Sequence, residues 1–300
     1  MERFDRRQTL AMGVATALLG STGLSAGVSS RFSQDLARLE REVGGRLGVC
    51  LIDMGNARVQ GWRLDERFAH CSSFKLSLAA MVLKGAEEHR WSLGEMLHWT
   101  QQEVMEASPV TATALATGLT MQELARAALV TSDNTAANTL LRRTGGPAAV
   151  TAFWAAMGDR VSRLDRFEPE LNRVPKGSAL DTSTPRAMAH TVSKLVFGNV
   201  LQKEGREMLT SWMMSVETGK RRLRAGFPTD WIAGDKTGTG YNPVSTTYVD
   251  LAFARPPGRA PLVVSSYFEP AQHLDRVDPA AEAVLARVGE VCARTFGPAA

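Results

Sequence analysis

The chain has 300 residues, of which 44% are hydrophobic and 22% are charged, a balance that excludes a disordered protein and allows a sizeable hydrophobic core. Its net charge of +4 is too small to indicate nucleic-acid binding by itself. The three cysteines and five histidines show neither a disulfide framework nor a metal-binding spacing, so we expect no metal and no other cofactor.

The first 26 residues have the pattern of a signal peptide. A short basic stretch with Arg3, Arg6 and Arg7 precedes "TLAMGVATALLGSTGLSA", which is too short and too often broken by Gly and Ser for a membrane span. The adjacent arginines are typical of a twin-arginine export signal; an ordinary signal peptide and a first helix are the alternatives. We therefore expect a periplasmic or secreted protein whose mature part, residues 27–300, does not associate with a membrane.

After this segment the predicted elements are a helix, a hairpin and a long helical region. The stretch "SRFSQDLARLEREVG" has helical spacing, and "GRLGVCLIDM" and "ARVQGWRL" are strand-like with a Gly-Asn turn between them. The stretch "HCSSFKLSLAAMVLKG", residues 70–85, then predicts an amphipathic helix. Further helices are predicted in "TMQELARAALV" with its capping box Thr120 and Glu123, in "DNTAANTLLRRTGG", in "STPRAMAHTVSKLVFG" and in "QKEGREMLTSWMMS".

Strand signals return in "DWIAGDKTG", "TTYVDLAFA" and "PLVVSSYF", and Asp278-Pro279 opens a last helix. The order predicts an α+β fold: an antiparallel sheet flanked by N- and C-terminal helices, with a large all-α insertion and the active site between the two. The α/β part would cover about 27–66 and 218–300, and the all-α part about 67–217.

One candidate site lies at the start of the 70–85 helix, where Ser72 and Lys75 are one turn apart. A serine becomes a nucleophile when a nearby base takes its proton, and a helix N-terminus favours developing negative charge. Such a Ser-x-x-Lys pattern occurs roughly once by chance in a chain of this length. The alternative is a helix-capping serine and an exposed lysine.

Two further triplets strengthen this interpretation because each is rare at average composition. Ser132-Asp133-Asn134 lies between two helical stretches, where it is either a helix cap or a proton donor beside an amide-binding asparagine. Lys236-Thr237-Gly238 ends a strand, where it is either a turn or a site that offers a cation, a hydroxyl and backbone N–H groups to an anionic, amide-like substrate.

The three motifs in this order resemble the penicilloyl-serine family of class A β-lactamases and penicillin-binding D,D-peptidases. The resemblance spans nearly the whole chain after the signal segment. It implies hydrolysis of the β-lactam amide through an acyl-serine intermediate, and hence antibiotic resistance, by a monomer whose partner is a small-molecule substrate. The implied catalytic residues are Ser72, Lys75, Ser132 and Glu168, and the implied substrate-binding residues are Asn134, Asn172, Arg222, Lys236, Thr237 and Thr239.

Within this family, the stretch "RFEPELN", residues 166–172, resembles the omega loop of the class A β-lactamases. The resemblance implies that Glu168 activates the deacylating water and that Asn172 holds it. It also implies an Arg166–Asp181 salt bridge, a loop-pinning Asn138 and a cis peptide bond before Pro169. The alternatives are a D,D-peptidase, in which no base aims water at the ester, and a β-lactam sensor domain, which would need a membrane span or an effector segment.

The stretch "RLRAGFPTDW" resembles that of a subset of class A enzymes in which Arg222 reaches the substrate carboxylate. Three departures lie where substrate choice is decided. Ala107 replaces a frequent aromatic residue, Gly240 stands where some relatives have a cysteine that pairs with Cys71, and the "GYNPVSTTY" loop is slightly longer than usual. The substrate spectrum, the acylation base (Lys75, or Glu168 through a water) and a Cys50–Cys292 bond stay open.

Overall fold

The computed structural model describes residues 30–242 and 244–296, so the expected signal segment lies outside the described residues. The helices are α1 (Arg31–Val43), α2 (Lys75–Glu87), α3 (Met121–Val130), α4 (Asn134–Thr144), α5 (Pro147–Ala156), α6 (Pro185–Val196), α7 (Lys203–Met214) and α8 (Pro279–Phe296). The strands are β1 (Arg46–Asp53), β2 (Arg58–Trp62), β3 (Phe68–Ala69), β4 (Met96–Leu97), β5 (Leu119–Thr120), β6 (Thr182–Ser183), β7 (Ile232–Tyr241), β8 (Thr246–Arg255) and β9 (Leu262–Glu269).

The main sheet has five antiparallel strands in the order β2-β1-β9-β8-β7, and this confirms the predicted α+β class. Strands from the two ends of the chain meet in the middle, since β1 pairs with β9 along its whole length. The edge strand β7 carries Lys236, Thr237 and Thr239 and faces the helical part of the chain. Helices α2 to α7 lie between β2 and this edge strand in sequence.

Apolar side chains cover both faces of the sheet. Helices α1 and α8 pack against each other and enclose one core, where the rings of Phe32 and Phe296 meet edge to face. The other core lies between the sheet and the helices of the insertion, with α6 against β1 and β9. No helix within residues 30–242 and 244–296 combines the length and the apolar character that crossing a membrane requires.

Local signals explain where several helices begin and end. Thr120 and Glu123 form the predicted capping box of α3, and Thr184 caps α6 by accepting a hydrogen bond from the Ala187 N–H. Gly145 ends α4 with a φ of 104°, a left-handed conformation that glycine adopts without steric cost.

Two expectations are corrected by the structure. The helix predicted from residue 70 begins at Lys75, because Cys71–Phe74 forms a 3₁₀ turn instead. Helix α2 is also not amphipathic: every residue from Lys75 to Leu83 is buried, since helices pack around it on all sides. The short ladders β3–β6 and β4–β5 were not predicted, because two-residue strands carry no periodicity.

Candidate active site

A cleft of about 700 Å³ lies between the edge strand β7 and the helical insertion. Motif residues from distant parts of the chain line it together: Ser72, Ser132, Asn134, Glu168, Asn172, Arg222, Thr237 and Thr239. Lys75 and Lys236 are fully buried beside it. A second cavity of about 780 Å³ is lined in part by residues 174–178, but none of the predicted catalytic or substrate-binding residues lines it.

Ser72 lies in the 3₁₀ turn that leads into α2, and Lys75 is the first residue of that helix. The preceding residue, Cys71, has a φ of 45°, which costs energy for a residue with a side chain and is common where a functional group must be aimed. Lys75 is fully buried, so the alternative of an exposed lysine is wrong.

Ser72 and Lys75 both contact the same carboxylate oxygen atom of Glu168. The Ser72 hydroxyl donates to Glu168 Oε1 at 2.8 Å, and the Lys75 ammonium lies 3.1 Å from the same oxygen. Both ends of this ion pair are buried, so the interaction is poorly screened. Lys75 also donates to the Ser132 carbonyl at 2.8 Å and to Asn134 Oδ1 at 2.5 Å.

Burial lowers the pKa of Lys75 below its usual range, because desolvation disfavours the ammonium form. The nearby Glu168 carboxylate acts in the opposite direction and raises that pKa. The protonation state of Lys75 therefore depends on whether Glu168 carries its negative charge.

The Ser132-Asp133-Asn134 triplet caps a helix and also places Ser132 and Asn134 at the cleft. Asp133 caps α4 by accepting a hydrogen bond from the Ala136 N–H, and its other contacts hold Thr111. Ser132 has a φ of 63°, and its hydroxyl lies in the cleft 3.0 Å from Lys236 Nζ. Asn134 binds Lys75 with its carbonyl group and donates to the Glu106 carbonyl with its amide.

Strand β7 supplies the opposite wall of the cleft. Lys236 donates to Ser132 Oγ and to the Thr237 carbonyl, at 3.0 and 2.7 Å. Desolvation, followed by repulsion from Lys75, lowers the pKa of Lys236 well below its usual range. The Thr237 hydroxyl pairs with that of Thr218, a contact that the sequence analysis did not identify.

Arg222 is buried, and its guanidinium reaches the edge strand β7. It donates to Thr239 Oγ1 at 2.5 Å and to the Gly238 carbonyl at 2.9 Å. Glu282, in the first turn of α8, holds both Arg221 and Arg222, at 2.7 and 3.2 Å. Sequence analysis missed Glu282, because an acidic residue in a first helical turn is ordinary and its arginine partners are far away in the chain.

The segment 165–181, which contains the predicted omega-loop motif 166–172, has the contacts that the resemblance implied. Arg166 Nε lies 2.6 Å from Asp181 Oδ2. Asn138 pairs with the backbone of Glu168 in both directions, at 2.9 and 3.1 Å. The Glu168-Pro169 peptide bond is cis.

Asn172 completes the group around Glu168. Its side-chain amide donates to Glu168 Oε2 at 2.6 Å. Its side-chain oxygen, Oδ1, is buried and accepts no hydrogen bond from any described residue. A buried acceptor beside a carboxylate is a suitable place for a water molecule.

The three cysteines are all buried free thiols, so Cys50 and Cys292 are not paired. Burial raises the pKa of Cys50 to about 12, and it likewise raises that of Cys71. Cys71 is a small buried side chain beside Gly240.

The described residues, 30–242 and 244–296, contain no group of three or more His, Cys, Asp or Glu side chains that would hold a metal ion. The side chains present offer a serine nucleophile, a carboxylate and two buried amines instead. This set can carry out acyl transfer to serine and hydrolysis of the resulting ester.

Comparison with known proteins points to the same chemistry. The family model "Beta-lactamase enzyme family" matches residues 31–296. The chain is 43% identical to a β-lactamase of Streptomyces albus G, over 86% of this chain and 83% of that protein. It is 40% identical to the carbapenem-hydrolyzing β-lactamase KPC of Klebsiella oxytoca, over 85% of this chain and 87% of that protein. The solved structure of the reconstructed last common ancestor of Gram-negative bacterial class A β-lactamases superimposes with a TM-score of 0.85, at 44% identity, over 89% of this chain and all of that one.

Proposed function

We propose specific roles for the cleft residues from the premise that this chain belongs to the β-lactamase enzyme family, as a class A serine enzyme that hydrolyses the amide bond of β-lactam antibiotics. Ser72 Oγ attacks the lactam carbonyl, and its proton passes to Glu168. The 2.8 Å hydrogen bond between the two side chains supports this direct transfer. It favours Glu168 over Lys75 as the acylation base and does not require a water between Ser72 and Glu168.

The negative charge that develops on the carbonyl oxygen is stabilised by the backbone N–H groups of Ser72 and Thr239. Ser72 lies just before the N-terminus of α2, and Thr239 lies on the edge strand that faces it. Donors fixed in this way act on the transition state without reorganisation, and losing one typically costs about 10²–10³ in rate.

When the carbon–nitrogen bond breaks, Ser132 gives its proton to the lactam nitrogen. Lys236, which donates to Ser132 Oγ, stabilises the alkoxide that this transfer leaves. Lys236, Thr237, Thr239 and Arg222 form the cationic end of the cleft and bind the substrate carboxylate. Asn134 binds the amide of the acyl side chain.

After acylation, the proton that Glu168 accepted passes through Lys75, which lies 3.1 Å from Glu168 Oε1 and contacts Ser132, to the Ser132 alkoxide. Glu168 is then a carboxylate again and serves as the base for deacylation. Glu168 takes a proton from a water held between its carboxylate and Asn172 Oδ1, and the water oxygen attacks the Ser72 ester. The bond between the carbonyl carbon and Ser72 Oγ then breaks, and Glu168 returns the proton to the serine. The buried, unpartnered Asn172 Oδ1 next to Glu168 is the observation that supports this step most directly.

The Glu168→Ala variant tests this assignment. We expect it to react with penicillin and to accumulate an acyl-enzyme. Intact-protein mass spectrometry should still detect this acyl-enzyme after a time in which the parent completes many turnovers. Normal turnover by the variant would remove Glu168 from the mechanism. A parent enzyme that acylates once without turning over would instead support the sensor-domain alternative.

We also propose that the chain is exported through its first 26 residues and that the mature protein acts as a monomer in the periplasm or outside the cell. The basic and apolar composition of that segment supports export. The division into an α/β part and an all-α part around the cleft is proposed with the boundaries given above. N-terminal sequencing of the secreted protein tests export and removal of the first 26 residues. Light scattering tests whether the mature protein is a monomer.

A further inference from the structure

A short turn at the edge of the sheet holds the omega loop in place. The turn, of which residues 242, 244 and 245 are described, joins β7 to β8, and the Asn242 N–H donates to the Ser245 carbonyl at 3.2 Å. The Asn242 side-chain oxygen accepts from the N–H groups of Val244 and Ser245, at 2.9 and 3.1 Å. These bonds order the turn and leave the Asn242 amide and the Ser245 hydroxyl to face the neighbouring loop.

Both side chains bind one carbonyl oxygen, that of Asn172. Asn242 Nδ2 donates to it at 3.0 Å, and Ser245 Oγ donates to it at 3.1 Å. Ser245 Oγ also accepts from the Val174 N–H at 3.3 Å. Three hydrogen bonds therefore join the turn to the omega loop across a sequence separation of about 70 residues.

The Asn172 backbone lies close to strand β7. A Cβ atom added at Gly240 would be in ordinary van der Waals contact with the Asn172 carbonyl oxygen, at 3.4 Å. The Asn172 side chain in turn donates to Glu168 Oε2 at 2.6 Å. The position of the Asn172 carbonyl thus fixes the position of the amide that orients Glu168.

We propose that Asn242 and Ser245 are positioning residues for deacylation, which they support by holding the Asn172 carbonyl so that its side chain stays on Glu168. This inference rests on the proposed roles of Glu168 and Asn172. Acylation relies on the direct hydrogen bond between Ser72 and Glu168 Oε1, whereas the deacylating water also needs Asn172 Oδ1. Loss of Asn242 and Ser245 therefore affects deacylation far more than the attack of Ser72 on the substrate.

The test compares Asn242→Ala, Ser245→Ala and the double variant with the parent, using the chromogenic cephalosporin nitrocefin as the probe. Acylation is followed by stopped-flow absorbance, and deacylation by acid quench and intact-protein mass spectrometry. Misplacing a catalytic group by about 1 Å costs about 10²-fold, so we expect deacylation by the double variant to slow by about 10- to 100-fold. We expect its acylation rate to stay within about twofold of the parent, so that acyl-enzyme accumulates.

Two matched controls separate this role from general support of the fold. Ser245→Thr keeps the hydroxyl and should deacylate as the parent does. Val244→Ala changes an exposed side chain of the same turn and should leave both rates unchanged. Equal losses in acylation and deacylation, or unchanged deacylation in the double variant, would overturn the inference.

Measuring Glu168→Ala in the same experiment distinguishes the two proposals. If Glu168→Ala traps the acyl-enzyme while the double variant deacylates normally, only the role of the turn is wrong. If Glu168→Ala turns over normally, the proposed role of Glu168 is wrong, and the inference about the turn is overturned with it.

Discussion

Glu168 Oε1 accepts a hydrogen bond from Ser72 at 2.8 Å and lies 3.1 Å from Lys75 Nζ, so one oxygen atom connects the nucleophile with the buried amine. The carboxylate favours the charged form of Lys75, because its effect on the pKa of Lys75 opposes that of burial. When Glu168 accepts the serine proton it loses this charge, and the balance shifts toward the neutral amine. The two residues therefore act as a coupled pair.

We predict that Lys75 becomes the acylation base when Glu168 is removed. In Glu168→Ala the carboxylate that raises the pKa of Lys75 is gone, so burial lowers that pKa further and more of the amine is neutral. Acylation of this variant should be slower than in the parent, by about 10²-fold, and should speed up as pH rises. Stopped-flow acylation from pH 6 to 10 measures this, and Glu168→Ala with Lys75→Met should not acylate at all.

Arg222→Ala should weaken substrate binding by about tenfold or more in KM, because a charge-assisted hydrogen bond contributes about 1.5–3 kcal/mol. It should also lower the free energy of unfolding by about 3 kcal/mol, since Glu282 is buried and would lose its buried partner. Steady-state kinetics and urea unfolding measure the two effects. Adding Glu282→Gln should restore part of the stability and none of the binding; an unchanged KM in Arg222→Ala would place carboxylate binding elsewhere.

Gly240→Cys should form a disulfide with Cys71. A Cβ atom at Gly240 would lie 3.0 Å from Cys71 Sγ, and a disulfide bond holds each Cβ about this far from the opposite sulfur. The bond would close a long loop and should add about 3 kcal/mol to the free energy of unfolding. Thiol titration of the denatured, oxidised variant should then find two free cysteines of its four. Gly240→Ser adds the Cβ without the sulfur and should gain no stability.

His70 should make the protein less stable in acid. It is buried against the Trp154 ring, and neither ring nitrogen has a hydrogen-bond partner among the described residues. Burial lowers its pKa to about 4, with Asp159 opposing and Arg67 reinforcing the effect. The unfolded chain, with a histidine pKa of about 6.5, binds the proton more readily, so stability is full above about pH 6.5 and falls as pH drops toward 4.

The expected loss from His70 alone is about 2 kcal/mol between pH 7 and pH 5. Urea unfolding at both pH values measures it, with His70→Met as the comparison because methionine fills similar space without titrating. The pH-dependent loss should be smaller in the variant by this amount. Equal losses in both proteins would show that His70 does not contribute.

The sequence predicted the helices and long strands because their periodicity and caps are local. Gly145 and the Thr120–Glu123 pair, for example, determine helix ends through contacts within a few residues. It did not predict that α2 is buried on every side, because burial depends on how many neighbours pack around a helix. The two-residue ladders were missed for a similar reason: they depend on long-range pairing.

The candidate site was predicted through motifs, so residues outside the motifs were missed. Glu282 and Thr218 contact Arg222 and Thr237 only after the sheet forms. Asn242 and Ser245 were noted only as part of a longer loop, since nothing local connects them to Asn172. The contact of Ser72 with Glu168 across 96 positions likewise required the fold.

The pairing of β1 with β9 limits how much of the chain can fold during its synthesis. The central pair of strands cannot form until residue 269 has left the ribosome, although β1 is complete at residue 53. The carboxylate that holds Arg222 emerges later still, with α8. The polypeptide therefore lacks a complete catalytic site during most of its synthesis. A chain without α8 would leave one hydrophobic core exposed and would lack Glu282, the carboxylate that binds Arg222.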